Sequence, residues 1–351
     1  MTDSIPPRLL DIAIVRFSAL GDVVMVAAMV KQLRDCLPDA SITWITSPMA
    51  YSLLRGMDGV KFEVYDKPGT LADYRAFYRA FHQRRFDVVL ALQANLRINL
   101  LYPALRAPVK IGFDRIRARE GQWLFCNRRI PFANTHLVDS FLAFATLLGC
   151  GTADPFWRLP LSANDGAWAR GQLKNLPRPL IAIHPHASKA ERNWLPEHYA
   201  AVIKEILHRW RAGVVLTGGQ TTAERELCAR LAEPAPSNIL NLCGQTTPKQ
   251  LAAILGQADV LIAPDTGAVH IARAMNTPVI GLYAIASPKL TGPYGRTEYC
   301  VDRYPQALRK YMGKEIDHVP WNTRVHHSDA MSLIRVNDVM HKLHQVLGSS
   351  A

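Results

Sequence analysis

The sequence predicts an α/β fold of two halves, each a parallel sheet covered on both faces by helices. Three observations predict it. Short β-rich runs alternate with helical stretches, and the alternation restarts midway along the chain. Of the 351 residues, 49% are apolar, enough to fill two cores.

The elements justify the class in order. "DIAIVRF" (11–17) is a short β-rich run, followed by the turn "SALGD" and the apolar helical stretch "VVMVAAMVKQL" (23–33). "SITWITS" (41–47) and "FDVVLAL" (86–92) are further strands bounded by turn or helix signals. "DYRAFYRAFHQRR" (73–85) fits an amphipathic helix whose Tyr and Phe stripe faces the core or a membrane. Pro, Ser, Asn, Asp and Gly cluster in "LPLSANDGAWA" (159–169), which marks the seam. Beyond it the strands "RPLIAIHP" (178–185), "AGVVLTGG" (212–219), "SNILNLCG" (237–244), "ADVLIAP" (258–264) and "PVIGLY" (278–283) follow. The helices "PEHYAAVIKEILHRW" (196–210) and "AERELCARLAE" (223–233) lie among them. The expected domains are 1–165 and 166–330, and 331–351 holds a C-terminal helix, "VNDVMHKLHQVLG". Two such halves leave a central cleft at the carboxyl ends of their sheets, where ligands of these folds bind.

Composition narrows the function classes. No apolar run approaches the roughly 18 residues that span a bilayer, and Val23 to Val30 is far shorter. Residues 1–8 carry an acid and two prolines with no basic region ahead of an apolar block, so no secretory signal is expected. Cys36, Cys126, Cys150, Cys228, Cys243 and Cys300 show no paired spacing, which favours free thiols in a reducing compartment. The net charge is +12, and residues 50–130 hold 15 Lys and Arg against 7 Asp and Glu, so +8 lies there. That concentration points to a polyanionic partner.

Four turns carry the chemistry. "LIAPDTGAVHIARAM" (261–275) places Asp265, Thr266 and Gly267 where a strand becomes a helix, with His270 one turn on. A helix start offers unpartnered amides and a positive dipole end, a seat for phosphate, whereas Asp265 reads equally as a helix cap. "HPHASKAERNW" (184–194) sets Ser188 among Lys189 and Arg192 directly after a strand, a basic loop that can neutralise a diphosphate without a metal. Asp265 is then free to accept hydrogen bonds from sugar hydroxyls. "TGGQTTAERE" (217–226) adds Glu224, an acid suited to a ribose diol. Together these describe a nucleotide-sugar pocket. In "RFSALGDVV" (16–24), Asp22 at a strand-to-helix turn reads equally as a cap and as a general base. His326 and His327 read as surface residues, and no metal constellation is expected.

In this order and combination, the SALGD loop, the HPHASKAERNW block and the DTG-x-x-H block resemble the ADP-heptose:lipopolysaccharide heptosyltransferases of glycosyltransferase family 9. "KIGFDRIRAREGQWLF" (110–125) and "SKAERNWLP" (188–196) resemble the heptosyltransferase I type most closely. The resemblance spans about residues 11–337. It implies the GT-B fold, with the acceptor on the first Rossmann-like domain, the donor on the second, and a C-terminal helix that returns to the first. It implies an inverting transfer of heptose from ADP-heptose to Kdo of the inner core, or to heptosyl-Kdo, by a cytoplasmic enzyme peripheral to the inner membrane. It makes Asp22 the base. It makes Ser188, Arg192, Glu224, Asp265, Thr266, Gly267 and His270 donor ligands, and Arg97, Arg119 and His136 acceptor ligands, with no resident cofactor. This sequence has Ser140 where some members carry an arginine, and "ANLR" after Gln93 where "GLxK" is commoner.

Two other classes are weighed. A nicotinamide-dependent oxidoreductase calls for GxGxxG with an acid about 20 residues later, and in the SALGD loop Gly21 stands alone. A nucleic-acid binder calls for exposed aromatics among the basic residues. The 73–85 stretch has that interleaving, but the amphipathic helix accounts for it.

Overall fold

Each half of the computed structural model is built on one six-stranded parallel sheet. The structure describes residues 10–151, 157–235 and 237–348, and the expectation for residues 1–8 lies outside them. The chain divides into two units, Met1–Pro160 and Leu161–Ala351.

In the first unit the strands are β1 (Asp11–Val15), β2 (Ser41–Thr46), β3 (Val60–Val64), β4 (Val88–Ala91), β5 (Val109–Gly112) and β6 (Arg128–Arg129), in the order β3-β2-β1-β4-β5-β6. Its helices are α1 (Leu20–Cys36), α2 (Pro48–Leu54), α3 (Leu71–Phe81), α4 (Leu96–Asn99) and α5 (Leu137–Thr146). The second unit has β7 (Leu180–Ile183), β8 (Gly213–Leu216), β9 (Ile239–Asn241), β10 (Val260–Pro264), β11 (Val279–Tyr283) and β12 (Val301–Asp302). Their order is β12-β11-β10-β7-β8-β9, which from the other edge repeats the first unit. Its helices are α6 (Ala163–Leu173), α7 (Pro196–Trp210), α8 (Thr222–Ala232), α9 (Pro248–Leu255), α10 (Gly267–Ala274), α11 (Pro288–Thr291), α12 (Tyr304–Met312) and α13 (Val336–Gly348). In each sheet the order reverses once, between β1 and β4 and between β7 and β10, and ligands of open α/β sheets bind outside the strand ends there.

Burial explains which strands the sequence announces. β4, β7, β8, β10 and β11 are buried along their whole length, as parallel strands covered on both faces must be, and each is a continuous apolar run. Truncating such a side chain, Ile14 or Ile262 to Ala, costs about 2–5 kcal/mol. β3, β5, β6 and β12 are not announced, because they lie toward the edges, are short and are partly polar. The 73–85 stretch is helical over α3, with Phe77 and Phe81 in the core and the Tyr74 and Tyr78 hydroxyls donating to the Arg97 and Leu100 carbonyls at 2.9 Å each.

One expectation differs from the structure. Cys36 and Cys150 form a disulfide with Cα atoms 5.6 Å apart, so those two are not free thiols. They are 114 residues apart in sequence, and the packing of α1 on α5 brings their helix ends together. Cys126, Cys228, Cys243 and Cys300 are free. Within the 159–169 seam Ser162 caps α6, and Asp165 accepts from the Ser162 amide at 2.8 Å. The units part at Pro160, inside that seam. α13 buries Val339, Met340, Leu343 and Val346 and packs on α7, β11 and β12. Arg303 also pairs with Asp338 of this helix at 2.5 Å.

Candidate functional site

In the second unit, the loops after β7 and β10 meet because those strands are neighbours. The β7 loop turns through a short 3₁₀ segment, Ala190–Arg192, held by the Ala187 amide donating to Asn193 Oδ1 at 2.7 Å. Trp194 is buried behind it, its indole N–H donating to the Ile334 carbonyl at 3.0 Å, which fixes the loop to the core. Ser188 and Lys189 are exposed. Arg192 reaches across the switch point, with Nη1 3.3 Å from both the carboxylate Oδ2 and the backbone oxygen of Asp265.

That contact sets a cation against the carboxylate at this helix start. Asp265 is buried and paired with Arg192, one residue ahead of the cap position of α10. Thr266 occupies the cap position in extended conformation and makes no side-chain cap, so the first turn of α10 begins without one. Thr266 and Gly267 are half-exposed. His270 is buried on α10 one turn further in.

Glu224 stands at the head of α8. Its Oε1 accepts from the Gly219 amide at 3.0 Å and its Oε2 from the Thr221 hydroxyl at 2.6 Å, completing a capping box. His186 lies 3.6 Å from Oε1. Burial pushes the carboxyl up, but the Thr221 hydroxyl, the Gly219 and Thr221 amides and His186 together outweigh it and hold Glu224 ionised below the usual range. A Cβ at Gly219 would stand 2.7 Å from Oε2, so a side chain there would displace the Glu224 carboxylate. At the end of β7, burial pushes the His184 ring down to about 4, keeping it neutral, with Nδ1 3.1 Å from the Thr217 hydroxyl.

In the first unit, Asp22 lies in the first turn of α1, after β1. It accepts from the Ala19 amide at 3.1 Å and pairs with Arg16, whose Nη1 donates to the Leu92 carbonyl at 2.5 Å. The loop is braced further by the Phe17 amide donating to Gln93 Oε1 at 2.8 Å and by Ser47 and Thr46 hydroxyls on the Phe17 and Arg16 carbonyls. The Asp22 side chain is 29% exposed, so one edge of the carboxylate meets solvent. Lys67 joins this group. Although its side chain is exposed, residual desolvation, then the charges of Arg16 and Arg97, push its ammonium down, with Asp22 pulling the other way.

Arg97 on α4 and Arg119 are both exposed, and Asn99 ties their segments by donating to the Arg119 carbonyl at 3.2 Å. His136 is placed differently. It is buried and caps α5, its Nδ1 accepting from the Val138 amide at 3.1 Å. Near it, Arg117 pairs with Asp114 and reaches the Ser140 hydroxyl, so a guanidinium occupies the neighbourhood of Ser140 from another part of the chain.

Sequence reading missed Arg16, Lys67 and Arg117. The first was legible in the quoted loop but carried no assigned role, and the other two meet their partners only through the fold. His326 is exposed as expected, yet it pairs with Glu191 at 2.9 Å, and His327 stacks on Tyr311 with ring centroids 3.9 Å apart. Among the described residues no group of three or more His, Cys, Asp or Glu is placed to hold a metal ion.

The model of glycosyltransferase family 9 (heptosyltransferase) matches residues 74–318. The chain is 34% identical over 331 residues to the lipopolysaccharide core heptosyltransferase OpsX of Haemophilus influenzae, covering 94% of each chain. It is 26% identical over 303 residues to lipopolysaccharide heptosyltransferase 1 of Escherichia coli K12, covering 82% of this chain and 92% of that one. The structure of E. coli ADP-heptose lipopolysaccharide heptosyltransferase II matches with a TM-score of 0.74 at 20% identity, covering 97% of this chain and all of that one. The two Rossmann-like units are those of the GT-B fold class.

Proposed function

The chain belongs to glycosyltransferase family 9, the heptosyltransferases, and from that premise we propose that it transfers heptose from ADP-heptose to Kdo of the lipopolysaccharide inner core, with inversion. The observation that carries the reading is Arg192 held against Asp265 beside the uncapped start of α10. A diphosphate settling on those amides competes with Asp265 for Arg192, and both donors gain strength as negative charge develops on the leaving group. Asp265 then accepts from heptose hydroxyls, Glu224 from the ribose, and Ser188 and His270 line the phosphates.

In the transfer, the acceptor hydroxyl oxygen bonds to the anomeric carbon and its proton passes to Asp22. The bond from that carbon to the diphosphate oxygen breaks, and ADP leaves with the electron pair. One-step displacement from the opposite face gives inversion. Arg97, Arg119 and His136 receive the acidic Kdo region, joined in this reading by Lys67 and Arg117. The acceptor is lipid-anchored, so the enzyme works peripherally at the cytoplasmic face of the inner membrane, with no nucleic-acid partner and no resident cofactor. The higher identity to OpsX than to heptosyltransferase 1 supports testing more than one acceptor. Incubation with a panel of nucleotide sugars and lipid A bearing one Kdo, two Kdo, phosphorylated Kdo or heptosyl-Kdo is expected to give a mass gain of one heptose from ADP-heptose on a Kdo terminus. Transfer only to heptosyl-Kdo, or from another nucleotide sugar, would overturn it.

A further inference from the structure

The first unit carries an exposed apolar patch inside its most basic region. Within nine residues, Ile116, Trp123 and Leu124 are 58%, 59% and 65% exposed, and Leu96 on α4 is 54% exposed. Single exposed apolar residues are ordinary, but a cluster of large ones marks an interaction site. Local structure forces them outward. Gln122 is buried, its amide donating to the Ala91 carbonyl at 2.8 Å while its Oε1 accepts from the Phe113 amide at 3.1 Å. With Gln122 turned in, the next two residues of the 3₁₀ segment Gln122–Leu124 face out. Leu96 joins the same surface, since its amide donates to Glu120 Oε2 at 2.6 Å and Asn99 donates to the Glu120 carbonyl at 2.9 Å.

Charge surrounds the patch. Residues 96–132 hold eight Lys and Arg against two acids. Both acids are engaged, Asp114 by Arg117 and Glu120 by the Leu96 amide. Arg115, Arg128 and Arg129 are exposed in the same stretch of chain.

We propose that this face is a docking surface for anionic phospholipid, with Ile116, Trp123 and Leu124 seated among the headgroups and Arg115, Arg128 and Arg129 on their phosphates. The proposal deepens the functional reading, because a lipid-anchored acceptor requires the enzyme to work at a bilayer. Charge complementarity selects the occupant. An anionic leaflet attracts juxtaposed Arg, and an indole belongs at the level of the headgroups. A second copy seated on the same face would set Arg against Arg.

Sedimentation of the full chain with vesicles tests this apart from catalysis. The wild type is expected to bind phosphatidylethanolamine–phosphatidylglycerol vesicles free of lipopolysaccharide, to ignore phosphatidylcholine vesicles, and to bind less as salt rises. The double variant Trp123→Ser, Leu124→Ser should lose about tenfold in partitioning while its transfer to a deacylated, water-soluble Kdo acceptor stays unchanged. Arg128→Gln with Arg129→Gln should lose both affinity and salt sensitivity. Absence of wild-type binding, binding that requires Kdo in the vesicle, or equal binding by the Trp123 and Leu124 variant overturns the proposal. So does a dimer in solution that this variant abolishes without changing vesicle binding. Loss of heptose transfer by the wild type on every acceptor would instead sink the functional reading and leave vesicle binding intact.

Discussion

The two units share one strand order, and each sets an Arg–Asp pair at its switch point, but the pairs are wired oppositely. In the first unit the acid, Asp22, sits on the helix itself and occupies the start of α1 with its own negative charge. In the second unit the acid, Asp265, follows a strand and pairs with Arg192, while Thr266 at the cap position of α10 makes no side-chain cap. The fold supplies a helix start at each site. Whether that start repels an anion or receives one depends on which side of the turn the carboxylate stands. In the proposed function this opposition divides the labour, a base in one unit and a diphosphate seat in the other.

The sharpest way to break the comparison is Asp22→Ala. A positioned general base contributes about 10²–10⁴ in rate, so turnover should fall by that factor while ADP-heptose affinity, measured by calorimetry, stays within about twofold. Wild-type turnover would reduce Asp22 to a cap. Next comes acid stability of the second unit. The His184 ring has a folded-state pKa of about 4, below its ordinary value near 6.5, so the unfolded chain binds the extra proton first. The stabilisation is present above about pH 6.5 and is lost as pH falls toward 4, a change of at most about 3 kcal/mol. Denaturant titrations between those pH values should show it, and His184→Gln should flatten the slope.

Arg192→Ala removes a charge-assisted partner of about 1.5–3 kcal/mol, so the donor KM should rise about tenfold to a hundredfold with a smaller fall in kcat. Unchanged donor affinity would detach Arg192 from the phosphates. The gentlest test makes the second unit imitate the first. Thr266→Asp places a carboxylate at the open start of α10, which should stabilise the helix by about 1 kcal/mol yet weaken ADP about tenfold. Stronger ADP binding would contradict the anion seat.

Much of this was legible before the fold was known. Strands buried on both faces need uninterrupted apolar runs, so β1, β2, β4 and β7–β11 are visible in the letters, as are α7 and α13 from their periodicity. β6 and β12, two residues each at sheet edges, bury too little to leave such a mark. The turns holding Asp22, Arg192, Glu224 and Asp265 were also legible, because strand-to-helix junctions with Gly, Ser, Thr and acids are local patterns. Ser162 and Asp165 show the reverse, a capping pattern inside the seam that the surrounding Pro, Asn and Gly obscured.

The sequence by itself determined that the chain alternates strands and helices in two rounds and that its polar chemistry gathers where strands end. Tertiary structure alone decided the partners. Arg192 meets Asp265 from 73 residues away because β7 lies beside β10, and Arg16 meets the Leu92 carbonyl from 76 away because β1 lies beside β4. Lys67 near Asp22, Arg117 on Ser140 and the Cys36–Cys150 bond arise in the same way. Periodicity is set by each residue's nearest neighbours along the chain, whereas strand order is set by how whole faces bury together.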